Sequence, residues 1–250
     1  MKPIDFKGQT ILITGATRGI GKQIADDLSD FGANLILTGT KQEEIDVLNA
    51  DANLNNKNRQ YFCLNILSKE SLDQFIEQIS KFERIDGLVN NAGINRLNAI
   101  NNVLENDWED MVAVNLSAPF KILKAVSSKM ISQEYGRIIN ISSIFGKISK
   151  ERRVVYSATK FGLHGLTVGA SNDLARYNIM VNTVSPGFVL TDLTRKNLSE
   201  KEMNDLAEQV PSKRLASVTD ISSFAVFLLS ELNQYMTGQN LIIDGGFTNV

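Results

Sequence analysis

Short runs of consecutive apolar and β-branched residues alternate along this chain with longer stretches whose apolar residues recur at helical spacing. The runs predict strands over 10–14, 34–38, 60–64, 87–90, 137–141, 180–184 and 240–243. Most carry their apolar residues consecutively rather than alternately, the pattern of parallel strands covered on both faces. Helical periodicity falls over 20–31, 68–82, 108–131, 156–177 and 220–229. Strand and helix in alternation predict an α/β fold: a doubly wound, seven-stranded, mainly parallel sheet with helices on both faces. Ligands of such a sheet sit in the crevice at the carboxyl ends of its strands. The most loop-like piece, 53–58 (Asn-Leu-Asn-Asn-Lys-Asn), reads as a surface turn too short to divide domains. The whole chain, 1–250, is therefore expected to be one domain.

Composition narrows the function classes. A net charge of -2 without a long Lys/Arg run leaves no electrostatic footprint for a phosphate backbone, so no nucleic-acid partner is expected. The opening residues lack the apolar core of a secretion signal, and no apolar stretch approaches a membrane span. The one cysteine, Cys63, has no internal partner and lies in the apolar run Tyr61-Phe62-Cys63-Leu64. A reducing, cytoplasmic setting follows as the expectation, with no membrane and no metal.

The first chemical motif, Thr14-Gly15-Ala16-Thr17-Arg18-Gly19-Ile20-Gly21, leaves the first strand and opens the first helix. Its glycines permit a tight turn and close backbone approach, so a pyrophosphate can rest on the free N–H groups of the helix N-terminus. Gly15, Thr17, Arg18, Gly19, Ile20 and Gly21 are therefore candidate cofactor contacts. The spacing is G-x-x-x-G-x-G. The second strand ends Leu37-Thr38-Gly39-Thr40-Lys41 with no acid before Glu43. An acid there would bind the ribose 2′-hydroxyl of NAD. Its absence, with Arg18, Thr40 and Lys41 available to a 2′-phosphate, predicts NADP(H).

The second constellation is Ser143 after the fifth strand, then Tyr156 and Lys160 inside Tyr156-Ser157-Ala158-Thr159-Lys160. Positions four apart share a helix face, which puts an ammonium beside a phenol. A nearby cation favours the phenolate and is expected to lower the tyrosine pKa, suiting Tyr156 to general acid work on a carbonyl oxygen. Ser143, at the ligand-binding edge of the sheet, is placed to hold the same oxygen.

Together with Asn90-Asn91-Ala92-Gly93, Asn115 and Pro186-Gly187, these motifs resemble short-chain dehydrogenases/reductases in order and spacing along the whole chain. That family has a Rossmann-type fold. The carboxyl third, from Pro186-Gly187-Phe188 through Thr191-Asp192, Val210-Pro211, Arg214-Leu215, Tyr235-x-Thr237-Gly238 and Asp244-Gly245-Gly246, most resembles bacterial 3-oxoacyl-[acyl-carrier-protein] reductases of fatty acid biosynthesis. The resemblance implies Tyr156 as catalytic acid/base and Lys160 as both its pKa modulator and a ligand of the nicotinamide ribose. It implies Ser143 as carbonyl anchor and Asn115 as keeper of a water and proton relay. Asn91, Ala92 and Gly93 would close over the adenosine side; Pro186, Gly187, Val189 and Thr191 would meet the nicotinamide. It also implies a homo-oligomer, with a tetramer favoured.

Two departures bear on the substrate and the cofactor. Asn65, followed by Ile66, stands where the family often has an acid beside the adenine, keeping the hydrogen bonding and losing the charge. The segment before the tyrosine, Lys147-Ile148-Ser149-Lys150-Glu151-Arg152-Arg153-Val154-Val155, is more basic than is usual in acyl-carrier reductases. Arg152 and Arg153 are thus candidate contacts for an anionic substrate, either an acyl carrier or a nucleotide sugar or other surface-glycan precursor. A catalytically inactive NADP(H)-sensing module is a third reading, but it should have lost Tyr156, Lys160 or Ser143, and all are present. The only histidine, His164, reads as a structural or interface residue, and Phe224, Phe227 and Leu228 as core or oligomer contacts.

Overall fold

The computed structural model describes residues 3–249. Seven strands, β1 (Thr10–Ile13), β2 (Asn34–Gly39), β3 (Arg59–Cys63), β4 (Gly87–Asn90), β5 (Gly136–Ile141), β6 (Ile179–Pro186) and β7 (Asn240–Ile243), form one sheet in the order β3-β2-β1-β4-β5-β6-β7. Every pairing is parallel. Burial explains the apolar runs: β4, β5 and β6 are buried at every residue, whereas β3 and β7 at the sheet edges are partly exposed. Successive strand residues alternate between two cores, Ile11 and Ile13 packing on one face and Leu12 on the other.

On the first face lies helix α1 (Gly19–Asp30), which buries Gly21, Ile24, Ala25 and Leu28 at helical spacing. It is joined there by α2 (Gln42–Leu54) and by α9 (Val218–Leu229), whose Ile221, Ala225 and Leu229 enter the same core. The second face carries α3 (Lys69–Ser80), α5 (Ala118–Gln133) and α6 (Val154–Leu174). Two short helices, α7 (Asp192–Asn197) and α8 (Glu200–Gln209), follow β6. Among the described residues no helix is long and apolar enough to cross a membrane.

The expected helix over 108–131 is broken in two. Helix α4 (Glu105–Val112) runs into a π turn over Ala113–Ser117 before α5 begins, with Pro119 in its first turn. Helix α2 is a second departure, since only Ile45 and Ala52 of it are buried and so narrow a stripe leaves little periodicity to read. Its last two residues, Asn53 and Leu54, take up part of the stretch read as a surface turn. Leu228 lies in the core with Phe227 packed against it, while Phe224 is exposed.

A buried polar ladder fastens the middle of the sheet to α6. Asn90 Nδ2 donates to Asn140 Oδ1 at 2.9 Å, and Asn140 Nδ2 donates to Thr167 Oγ1 at 2.8 Å. Thr183 Oγ1 donates to the same Thr167 oxygen at 2.8 Å, and His164 Nδ1 lies 3.4 Å from Thr183 Oγ1. The ladder thus joins β4, β5 and β6 to the helix that carries the tyrosine. Removing its central member takes the acceptor from the buried Asn90 amide on one side and a donor from the Thr167 oxygen on the other. Asn140→Ala is therefore expected to lower stability by about 2–4 kcal/mol, read as a lower urea midpoint at unchanged slope. An unchanged midpoint would show that the ladder holds nothing.

Candidate active site

Strand order reverses between β1 and β4, and the crevice this opens is where the first glycine motif lies. Gly19 has φ +57°, and a Cβ on Gly21 would stand 2.4 Å from Gly15 O and 2.5 Å from Asn91 Nδ2. Only glycine lets the start of α1 come this close to the turn. The turn is braced from the two neighbouring strands, β2 and β4. Gly15 N donates to Thr38 Oγ1 at 3.0 Å, and Asn91 Nδ2 donates to Thr14 O and Gly15 O at 3.0 and 2.9 Å. The N–H groups of Asn91 and Ala92 both donate to Thr14 Oγ1, at 3.0 and 3.1 Å. Helix α1 begins behind this turn with no side-chain cap and no acid in its first turn, which leaves its amide donors and positive end for an anion. A glycine cradle at an uncapped helix start fits a dinucleotide pyrophosphate.

A cleft of about 750 Å³ runs from this cradle to Tyr156. Of the expected cofactor contacts it is lined by Gly15, Arg18, Gly19, Ile20, Thr40, Asn65, Ile66, Asn91, Ala92, Gly93, Tyr156, Lys160, Pro186, Gly187, Val189 and Thr191, with Ser143 at the same end. Three expected contacts lie off its wall. Gly21 is packed under the turn, and Thr17 faces Gly39, where an added Cβ would meet Thr17 Cγ2 at 2.4 Å. Lys41 is the exposed residue preceding α2. Arg18 is exposed at the rim, and among the described residues it makes no salt bridge.

At the other end Lys160 is buried, and its Nζ donates to Ile141 O at 2.9 Å. Ser142 Oγ in turn donates to Lys160 O at 3.1 Å, so the end of β5 and the second turn of α6 hold each other. Burial pushes the Lys160 ammonium down to about 8. The Tyr156 ring centroid is 5.6 Å from that ammonium. Ser143 Oγ accepts from Phe145 N at 3.2 Å, and its own hydrogen faces the Tyr156 phenol.

The expected lowering of the tyrosine pKa by Lys160 is not what the structure gives. Burial pushes the Tyr156 phenol above its ordinary value, and only the Ser143 hydroxyl and the Arg153 guanidinium pull it back. The Lys160 ammonium beside it is itself desolvated and anchored on the Ile141 carbonyl. Arg153 lies with its guanidinium 4.4 Å over the Phe145 ring, and Phe145 meets Tyr156 edge-on at 6.4 Å between centroids. Arg152 is exposed and donates to Leu97 O at 3.3 Å.

Asn115 sits in the π turn, buried, with its amide fully engaged. Its Oδ1 accepts from Ile94 N at 2.9 Å, and its Nδ2 donates to Ile94 O at 2.9 Å and Thr159 Oγ1 at 3.1 Å. It therefore pins the loop after β4 to α6. A Cβ on Gly93 would lie 3.3 Å from Asn115 Oδ1 and 3.6 Å from Lys160 Nζ, so that glycine keeps the two groups' approach open. Sequence patterns gave no hint of the bracing residues Thr38, Thr159 and Ser142, nor of Arg96, which lines the cleft while paired with Asp107 and Asp110. Each is an ordinary polar residue whose partner is distant in the chain.

A sequence profile of the family described as short chain dehydrogenase matches residues 9–202. The chain is 39% identical over 245 residues to the 3-oxoacyl-[acyl-carrier-protein] reductase FabG of Aquifex aeolicus, covering 97% of this chain and 98% of that one. To the FabG of Escherichia coli it is 36% identical over 244 residues, with the same coverage. Among solved structures, it is similar to a gluconate 5-dehydrogenase from Burkholderia cenocepacia in complex with NADP and tartrate, with TM-score 0.90, 30% identity, and 98% and 97% of the two chains covered. ElxO with NADP bound matches with TM-score 0.90, 29% identity, and 97% and 99% covered. Fold, crevice and near full-length relatives agree, and the chain belongs to the short chain dehydrogenase family of oxidoreductases.

Proposed function

We propose that this enzyme reduces a ketone to a secondary alcohol with NADPH, the ketone being a 3-oxoacyl thioester on acyl carrier protein. The observation that carries the reading is the convergence of Ser143, Tyr156 and Lys160 at the end of the cleft away from the glycine cradle. NADPH supplies the hydride when bound. The Ser143 hydroxyl donates to the substrate oxygen, and Tyr156 delivers its proton there. A phenol held above its ordinary value keeps that proton at neutral pH, which suits reduction. Lys160 offers charge to the ribose and to the forming phenolate, with Asn115 fixing the backbone around both.

Selection of NADPH rests on Arg18 and Thr40 at the rim and on the absence of an acid at the end of β2. Lys41 is left out of this set. The acyl-carrier substrate is supported by the reductases matched over nearly their whole length. The exposed Lys147, Lys150 and Arg152 beside the site suit an acidic carrier. On this reading the chain is a single-domain cytoplasmic enzyme of fatty acid biosynthesis, working as a homo-oligomer, with the exposed Trp108, Phe161 and Phe224 as apolar contact surface.

Tyr156→Phe keeps the ring and deletes the proton donor. With acetoacetyl thioesters its kcat should fall at least ~10²-fold while NADPH binding persists; near-normal turnover would remove Tyr156 from the role. Lys160→Ala should weaken both NADPH binding and turnover. The second test is the ratio of kcat/KM for NADPH over NADH, which should be well above one and fall about tenfold or more in Arg18→Ala. Equal use of both cofactors by the native enzyme would overturn the assignment of Arg18.

A further inference from the structure

Arg153 is a cation without a counter-charge. Its backbone caps the start of α6 and its side chain is half-buried, stacked on Phe145. Four other arginines close on aspartates, Arg59 on Asp26, Arg84 on Asp86, Arg96 on Asp107 and Asp110, and Arg214 on Asp220, while Arg137 and Arg152 donate to carbonyls. Among the described residues no carboxylate and no carbonyl is bonded to Arg153. Burial holds its guanidinium below the ordinary value, the mark of a charge that has lost water and gained no partner. Such a cation is unfavourable alone and strongly favourable to an incoming anion.

Its place says which molecule the anion belongs to. Arg18 lies at the glycine cradle, at the far end of the cleft from Tyr156, where a cofactor phosphate would meet it. Arg153 lies one aromatic ring from Tyr156, through Phe145. Of the other cations near the tyrosine, Lys160 is held on Ile141 O, Arg152 on Leu97 O and Arg96 on its two aspartates, while Lys147 and Lys150 are exposed to water rather than half-buried against an aromatic ring. An anion paired with Arg153 must therefore be carried by the substrate, close to the reacting carbonyl. A carrier-bound acyl thioester presents a neutral group there, and its phosphate lies many bonds further out.

We propose that Arg153 anchors a substrate carboxylate a few bonds from the ketone, so that this enzyme also reduces small oxo acids to hydroxy acids. The inference rests on the carbonyl-reduction reading above. The carbonyl carbon gains the hydride of NADPH, which becomes NADP⁺. The carbonyl π pair moves to oxygen, which takes the proton of Tyr156, and the carboxylate passes through unchanged.

The test uses the full chain with NADPH and two matched pairs, acetoacetate with methyl acetoacetate and levulinate with methyl levulinate. For at least one pair the native enzyme should favour the acid over its ester by about tenfold or more in kcat/KM. Arg153→Gln should bring that acid-to-ester ratio down to about one, a loss of about tenfold or more, and Arg153→Lys should restore part of it. NADPH binding, followed by fluorescence, reports whether the variants are folded. Esters reduced as well as acids by the native enzyme, or a ratio unmoved by Arg153→Gln, overturn the anchor while leaving carbonyl reduction standing. Failure to reduce any of the ketones or acetoacetyl thioesters overturns the reading beneath it.

Discussion

The site depends on one place where backbone meets backbone without side chains between. Gly21 has no room for a Cβ against Gly15 O and Asn91 Nδ2, and the Asn91 amide bridges the carbonyls of Thr14 and Gly15. That contact brings the start of α1 under the turn after β1 and ties the end of β4 to it. From there order passes outward. The loop after β4 is held by Asn115 at Ile94, Asn115 also holds Thr159, and Thr159 belongs to the same helical turn as Tyr156, whose carbonyl it bonds. The glycine cradle and the tyrosine are thus parts of one hydrogen-bonded scaffold.

Within that scaffold charge is distributed differently from what a phenol four residues before a lysine implies. Lys160 is anchored and partly discharged by burial, and Tyr156 retains its proton. A neutral phenol next to a cation that can be lost just above neutral pH is set to deliver a proton. Arg153 exerts a Coulombic pull on the phenol. If the same guanidinium anchors a substrate anion as proposed above, binding an anion and easing loss of the tyrosine proton draw on one residue.

Much of this was legible in the sequence because burial on both faces writes parallel strands as unbroken apolar runs, as in Ile138-Ile139-Asn140-Ile141. Glycines that no other residue can replace, and a Tyr-x-x-x-Lys pair, mark their places equally well. Helix α2 was hard to read because only Ile45 and Ala52 of it are buried, whereas α8 does carry apolar residues at helical spacing, Met203, Leu206 and Ala207, within an otherwise strongly polar segment. Nor was the π turn at Ala113–Ser117, whose sequence continues the helical pattern on both sides. The bracing by Thr38 and Thr159 depends on partners 23 and 44 positions away, a relation one sequence does not display. Lys41, read with the cofactor because it follows β2, stands exposed between β2 and α2, next to Thr40 of the cleft wall.

The central claim is that a buried, protonated Lys160 supports proton delivery by a neutral Tyr156, and the pH profile of ketone reduction at saturating NADPH tests it most directly. Lys160 loses its charge as pH rises through its lowered value, so kcat should be level below that point and fall above it, with an apparent pKa near about 8. A rate that stays level to about pH 10, or that climbs as pH rises, would contradict the account, because an unsupported phenol or a base in its place would then be doing the chemistry.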